Sequence, residues 1–242
     1  MTRRRWIADS WTATTATLVG EQAEHLARVL RAAPGQIYDV VAGGFLHRAE
    51  IVSVSPTEIV FTLHEELESD TALPLHLLMA VFKFDHMEWA IEKATELGVS
   101  RITPVLARRT EKHLAQAAAK RAERWRRIAL EASKQSRRTT IPEISEPAAL
   151  KTALENASEP VRLLLSETEQ DTTILSALLG TPSTSRDSLA YAFAIGPEGG
   201  WTPEEMALFT QSQWQPVTLG PRILRAETAA IAAIAILSSQ LA

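Results

Sequence analysis

From residue 75 to the end of the chain, short apolar runs alternate with stretches of helical period, and this alternation restricts the fold more than any other feature. Residues 75–82 form one continuous apolar run. The segment after it places Met87, Ala90, Ile91, Ala94 and Leu97 on one helix face, with Asp85 and Glu88 as an N-terminal cap pair and Gly98 just past the end. Residues 101–106 read as the next strand and 114–135 as a long helix. Further strands are expected at 161–165 and 189–195, the second alternating as Leu189, Tyr191, Phe193 and Ile195. Thr202-Pro203-Glu204-Glu205 opens a helix with a cap, an N1 proline and a capping-box glutamate in register. Residues 216–219 give a last short strand. Residues 227–241 give a last helix, apolar nearly all round, which must be buried in a core or at a subunit interface. Repeated β-α units imply a mostly parallel sheet covered by helices.

The first 70 residues obey a different period. Residues 37–41, 45–54 and 59–63 are β-branched runs separated by Gly43-Gly44 and by Ser55-Pro56-Thr57-Glu58, the pattern of a hairpin meander. One helix interrupts it over 21–31, with Leu26, Val29 and Leu30 at helical spacing and Pro34-Gly35 ending it. A small closed barrel is the economical solution, because closure removes exposed edges. The boundary falls in the acidic stretch 65–73 (Glu65, Glu66, Glu68, Asp70), which divides the chain into domains 1–70 and 73–242. Residues 180–188 read as an exposed loop.

The chain has no cysteine, which excludes disulfides, thiolate catalysis and cysteine-ligated metal. Six scattered histidines show no metal-ligand spacing, so no metal is expected. The basic start is not followed by an apolar core, and the longest apolar run, 229–237, is too short to span a bilayer. A cytoplasmic protein without membrane contact is the expectation. The net charge of −4 argues against a protein that coats RNA uniformly. Residues 120–138, however, hold eight basic side chains (Lys120, Arg121, Arg124, Arg126, Arg127, Lys134, Arg137, Arg138) against Glu123 and Glu131. Such a patch either steers a polyanion or is an ordinary solvated helix face.

Two strand-to-helix junctions carry the candidate chemistry. Gly196-Pro197-Glu198-Gly199-Gly200 follows an apolar strand and precedes a capped helix. Parallel sheets bind ligands at the carboxyl ends of their strands, and glycines there permit close backbone approach. The motif is neither a phosphate-binding P-loop nor a dinucleotide fingerprint, and on its own it is equally a tight turn. Leu219-Gly220-Pro221-Arg222-Ile223-Leu224-Arg225-Ala226-Glu227-Thr228-Ala229 is the second junction. Arg222 or Arg225 suits a carboxylate or phosphate. Glu227 suits the first turn of a helix, where the dipole favours an anion.

With these junctions the sequence resembles the RsmE family of SPOUT methyltransferases over nearly its whole length. The resemblance includes His25-Leu26-Ala27-Arg28-Val29-Leu30-Arg31, Met87-Glu88-Trp89, Glu96-Leu97-Gly98-Val99, Ile102-Thr103-Pro104, Ile141-Pro142-Glu143-Ile144 and both glycine-bearing loops. It implies an α/β fold with a SPOUT-type parallel sheet and a C-terminal trefoil knot, preceded by a small PUA-like β-barrel that binds RNA. It also implies a homodimer that uses S-adenosylmethionine to methylate uracil N3 at one uridine of 16S rRNA in the small (30S) subunit. The implied cofactor site is Leu165, Ser166, Glu167, Ile195, Gly196, Gly199, Gly200, Leu219, Gly220, Ile223 and Leu224. In it, backbone groups hold the adenine and a side chain at Gly199 blocks the approach. The implied RNA contacts are Arg5, Arg28, Arg31, Lys83, Arg137 and Arg138, phosphate contacts that position rather than specify. Glu198 or Glu227 is the candidate base and Arg225 the electrostatic stabiliser. The family commonly carries glycine and arginine where Phe84 and His86 stand, glutamate where Lys134 stands and glycine where Arg137 stands, which leaves substrate contacts less defined than cofactor contacts. A ribose 2′-O-methyltransferase of the same fold and a non-catalytic RNA-binding assembly module are the rival readings.

Overall fold

The computed structural model describes residues 5–69, 72–180 and 190–241. The chain divides into two compact units, Met1–Thr71 with Ser133–Thr140 and Ala72–Ala132 with Ile141–Ala242. Residues 181–189, most of the loop expected over 180–188, lie outside the described residues.

The first unit contains β1 (Trp6–Ile7), β2 (Ser10–Trp11), β3 (Thr15–Val19), α1 (Gly20–Glu24), a π-helical turn at His25–Val29, β4 (Ile37–Ala42), β5 (Phe45–Val54) and β6 (Glu58–Leu67). The strand order is β1-β4-β5-β6-β3-β2. β4, β5, β6 and β3 pair antiparallel, as the hairpin turns require. β1 and β2 adjoin in sequence but pair at opposite margins of the sheet. Between them, the Ala8 N–H donates to Val41 O at 2.8 Å and the Asp9 N–H to Thr17 O at 2.9 Å. The chain itself therefore bridges the two margins and leaves few unpaired edge groups. Trp6, Leu18, Leu26, Ile51, Ile59 and Phe61 fill the interior.

The helix expected over 21–31 is shorter and changes type. Its second half closes with the Leu30 N–H donating to His25 O at 3.1 Å, a five-residue step. Arg31, at φ 52°, ends it in the left-handed region well before Pro34. Ser133–Thr140 contains a second such residue, Arg137 at φ 63°, and the Arg5 guanidinium donates to the Arg137 carbonyl.

The second unit runs β7 (Leu75–Ala80), α2 (Phe84–Glu96), β8 (Arg101–Leu106), α3 (Lys112–Gln135), β9 (Glu143–Ile144), β10 (Ala148–Ala149), α4 (Leu150–Glu155), β11 (Val161–Leu165), α5 (Ile174–Gly180), β12 (Tyr191–Ile195), α6 (Pro203–Gln211), β13 (Gln215–Val217) and α7 (Ala226–Leu241). The sheet order is β10-β8-β7-β12-β11-β13, with β9 beside β8, and its pairings are parallel. Leu77, Met79, Phe193 and Ile195 pack with α2, α3, α5 and α7, while Leu78, Leu164, Ala192 and Ala194 pack with α4 and α6. β12 is thus buried on both faces, and its apparent alternation is one of size, not of exposure. α7 buries Ala226, Ala230, Ala233, Ile234 and Leu237. Among the described residues no helix is long and apolar enough to cross a membrane.

Helix starts follow the sequence in one case and depart in another. Thr202 accepts from the Glu205 N–H while Glu205 accepts from the Thr202 N–H, the reciprocal box the spacing predicts. At α2 the N-cap is Lys83, with no side-chain cap bond, so Asp85 and Glu88 do not form a cap pair. Glu88 instead meets Arg121 at 3.2 Å and Arg124 at 2.9 Å. β7 stops at Ala80 rather than at residue 82, and β13 spans Gln215–Val217 rather than 216–219.

A buried polar chain secures the amino end of this sheet. His76 Nδ1 lies 2.8 Å from Glu159 Oε1, and its Nε2 lies 2.8 Å from Thr103 Oγ1. Burial works to raise the Glu159 carboxyl, but the hydrogen bond and charge of His76, a backbone N–H and Arg101 outweigh it and hold the carboxyl below its ordinary range. A depressed carboxyl stabilises the fold above its unfolded-state pKa, and that contribution is lost as pH falls through the folded-state value. Glu159→Gln is expected to cost about 1–3 kcal/mol in urea unfolding at pH 7. The gap to wild type should close below about pH 4, and an equal gap at pH 3 and pH 7 would remove the ionic explanation.

Candidate active site

β11 lies between β12 and β13, with Leu164 opposite both Ala194 and Pro216. Three parallel strands therefore end nearly level, at Leu165, Ile195 and Val217, and the loops that leave them rise from one edge. Backbone bonds join two of these loops. The Ser166 N–H donates to Val217 O at 3.1 Å, the Thr218 N–H to Thr172 O at 2.8 Å and the Ile174 N–H to Thr218 O at 3.3 Å. This edge carries Leu165, Ser166 and Glu167 on the first loop, Ile195, Gly196, Gly199 and Gly200 on the second, and Leu219, Gly220, Ile223 and Leu224 on the third. Ile223 is 83% exposed, whereas Leu165, Leu219 and Leu224 are half-buried.

The glycines do different work. The Gly200 N–H closes a turn on Pro197 O at 2.8 Å, with Gly200 at φ 71°. A Cβ at Gly196 would lie 3.1 Å from Trp201 Nε1, a buried donor without a hydrogen-bond partner among the described residues. At Gly220, φ 107° demands glycine although a Cβ would meet nothing within 4 Å. Gly199 packs against an arginine stem. A Cβ there would lie 3.3 Å from Arg109 Cδ, so a larger side chain displaces Arg109 first.

Arg109 is the residue that sequence reasoning missed. It stands just beyond the carboxyl end of β8, and its guanidinium donates to the Gly199 carbonyl. Beside it, the Arg108 N–H donates to Glu205 Oε1 at 2.8 Å, which fastens the β8 loop to the start of α6. The available signal was an Arg-Arg pair directly after an apolar strand in a parallel sheet.

The candidate acid-base groups separate by environment. Glu198 is exposed. Glu227, in the first turn of α7, is 4% exposed, and among the described residues its buried Oε2 has no hydrogen-bond partner. Arg222 and Arg225 are exposed.

The basic run of 120–138 is largely committed elsewhere. Arg121 and Arg124 meet Glu88, Arg126 meets Glu146 at 2.6 Å, and Lys134 is buried. Phe84 packs edge-on to Trp125 with ring centroids 5.9 Å apart and lies under the Arg121 guanidinium. In the first unit, Arg28 and Arg31 are exposed, Arg28 pairs with Glu24 at 2.6 Å, and Arg5 and Arg137 are joined as described. Burial pulls the Arg138 guanidinium down to about 10, which leaves it charged at neutral pH. Lys83, in the second unit, is exposed.

These geometries separate two glycines by stability. Gly220→Ala is expected to cost about 1–2 kcal/mol through left-handed strain alone. Gly199→Ala, which meets only the flexible stem of Arg109, should cost under about 0.5 kcal/mol. Chemical denaturation of both variants checks the order, and equal costs would contradict it.

Residues 69–238 match the family model described as the RNA methyltransferase domain. The ribosomal RNA small subunit methyltransferase E of a Synechocystis strain is 35% identical, over 91% of this chain and 72% of that protein. The protein of that name from Bacillus subtilis is 31% identical, over 94% of this chain and 91% of its own. A solved structure of the Neisseria gonorrhoeae protein of that name, bound to S-adenosylmethionine, matches with a TM-score of 0.83 at 31% identity and covers 99% of this chain and 98% of that one. With most of its length inside the family model and relatives 31–35% identical over more than nine-tenths of this chain, the chain belongs to the ribosomal RNA small subunit methyltransferase E family of RNA methyltransferases.

Proposed function

We propose that this chain transfers the methyl group of S-adenosylmethionine to uracil N3 of one uridine in the 16S rRNA of the small ribosomal subunit, in the cytoplasm. The observation that carries the reading is the level ending of β11, β12 and β13, which gathers three loops at one edge of the sheet. The residues present fit the cofactor. Gly220 leaves open space where a Cβ would stand, Leu165, Leu219, Leu224 and the exposed Ile223 offer apolar surface for an adenine, and the loop backbones offer donors and acceptors. When bound, S-adenosylmethionine supplies a methyl group on a positively charged sulfur.

The chain's own groups have three tasks. The loops at 196–200 and 219–224 must fix the reacting atoms in line, because alignment supplies much of the rate. Arg109 stiffens the first of these loops through the Gly199 carbonyl. The proton on uracil N3 must leave, and the charge that develops there must be met. Glu227 is the better acceptor, because among the described residues its buried Oε2 has no competing donor, while Glu198 stands in water. The exposed Arg225, two residues earlier, is the cation we assign to stabilise the N3 anion.

The RNA itself is gripped by cations. Arg5, Arg28, Arg31, Arg137 and Arg138 belong to the first unit, which we read as a PUA-like RNA-binding domain, and Lys83 belongs to the second. The same reading includes a homodimer, favoured by the exposed Leu175 and Leu179 on α5.

The decisive experiment incubates small subunits lacking the modification with the protein and S-adenosylmethionine, then maps the rRNA by reverse transcription. A methyl on N3 blocks pairing and stops the polymerase at one uridine. A methyl that lets the polymerase pass would place the chemistry on ribose, and no incorporation would end the reading. Arg225→Ala should lower kcat/KM by about 10²–10³-fold with cofactor affinity unchanged in calorimetry. Arg137→Gly should weaken RNA binding and flatten its salt dependence. Because it also relieves a left-handed arginine, it should keep stability or raise it by up to about 1 kcal/mol. A variant less stable than wild type would contradict that assignment.

A further inference from the structure

Glu227 is the one ionisable residue of α7, and it is buried. Among the described residues its carboxylate has no lysine or arginine partner. The group that faces it is His86, in the first turn of α2, whose Nδ1 lies 3.5 Å from Glu227 Oε1. His86 is one-third exposed, and its Nε2 lies 3.7 Å from Oδ2 of the exposed Asp85. Among the described residues, the other elements packed on α7 add no competing charge. α5 has no ionisable side chain, β12 has only Tyr191, and Glu88, next along α2, is taken up by Arg121 and Arg124 of α3. Lys83 and Arg225, the charged residues just before α2 and α7, are exposed.

We propose that His86 is a positioning residue for methyl transfer, a titratable clamp that holds the Glu227 carboxylate from its solvent side. The inference rests on the reading of Glu227 as the proton acceptor. A buried carboxylate is costly unless it is paired. An arginine at this position would be charged throughout the working range. Histidine is charged only toward acid, because its side chain changes charge between about pH 5 and 8. In this chain the clamp therefore loosens as pH rises. With imidazole neutral, Oε1 faces a ring without charge, Oε2 still has no donor, and the carboxylate loses its fixed orientation. His86 needs no contact with RNA or cofactor for this effect, so the loss belongs in kcat rather than in cofactor affinity.

The test compares wild type with His86→Arg, each also in a Glu227→Gln background, by methyl incorporation into unmodified small subunits. Taking the ratio of the two rates cancels the intrinsic ease of uracil deprotonation at each pH. The ratio of wild type to His86→Arg should fall at least about threefold between about pH 6 and 8.5, with the cofactor dissociation constant unchanged. With Glu227→Gln in both proteins the ratio should be flat. A flat ratio without that substitution overturns the inference while leaving the proposed reaction intact. Should His86→Arg fail to fold, His86→Gln serves. The ratio of wild type to this variant should approach one at the alkaline end and rise toward acid, and a ratio that stays constant with pH overturns the inference. Should wild type transfer no methyl at all, the proposed function fails and melting temperatures decide the clamp. Wild type should lose stability relative to the folded His86 variant as pH rises, and a constant difference overturns it.

Discussion

Parallel pairing of β11 with both β12 and β13 is the constraint on which the rest depends. A parallel pair cannot slip by one residue without exchanging the side chains packed under α2, α3, α5 and α7 for those packed under α4 and α6, so the two cores fix where each strand's end falls. Because β11 holds both neighbours, one register sets the relative heights of three loops. The bonds from Ser166 to Val217 and from Thr218 to Thr172 extend the pairing past the strand ends, so the loops begin from a braced edge. Their glycines can then approach a ligand without the loop having to find its conformation first.

The same edge is braced from the side. Glu205 secures the β8 loop and the start of α6 together, and Arg109 reaches from that loop to the Gly199 carbonyl. A capping residue and an arginine that look unrelated in sequence thus act on one glycine loop. Burial of Glu205 makes this possible, because a carboxylate accepting backbone N–H groups in a dry site is held in one rotamer.

Much of this was legible in the sequence where local chemistry decides. Thr202-Pro203-Glu204-Glu205 specifies its cap through neighbours three residues apart, and the 3.6 period of α3 is set by its own apolar face. The two glycine loops were readable as strand ends because apolar runs precede them. What stayed hidden depends on partners distant in sequence. Nothing near Glu88 says that it serves Arg121 and Arg124 rather than the start of α2. Nothing near Gly199 announces Arg109, ninety residues away. The basic run looked like a patch because sequence counts charges, whereas the fold pairs or buries several of them. The π-helical turn was illegible for another reason, since a five-residue step leaves nearly the same apolar spacing as an ordinary helix.

The placement of Ser133–Thr140 in the first unit has a consequence for how the molecule is made. That unit is discontinuous along the chain, so its last piece leaves the ribosome some sixty residues after β6 is complete. Folding of the amino-terminal barrel during synthesis must then wait, or proceed with Arg5 lacking its carbonyl acceptor, until α3 has emerged. A fragment cut at the apparent domain boundary would carry the same deficit permanently.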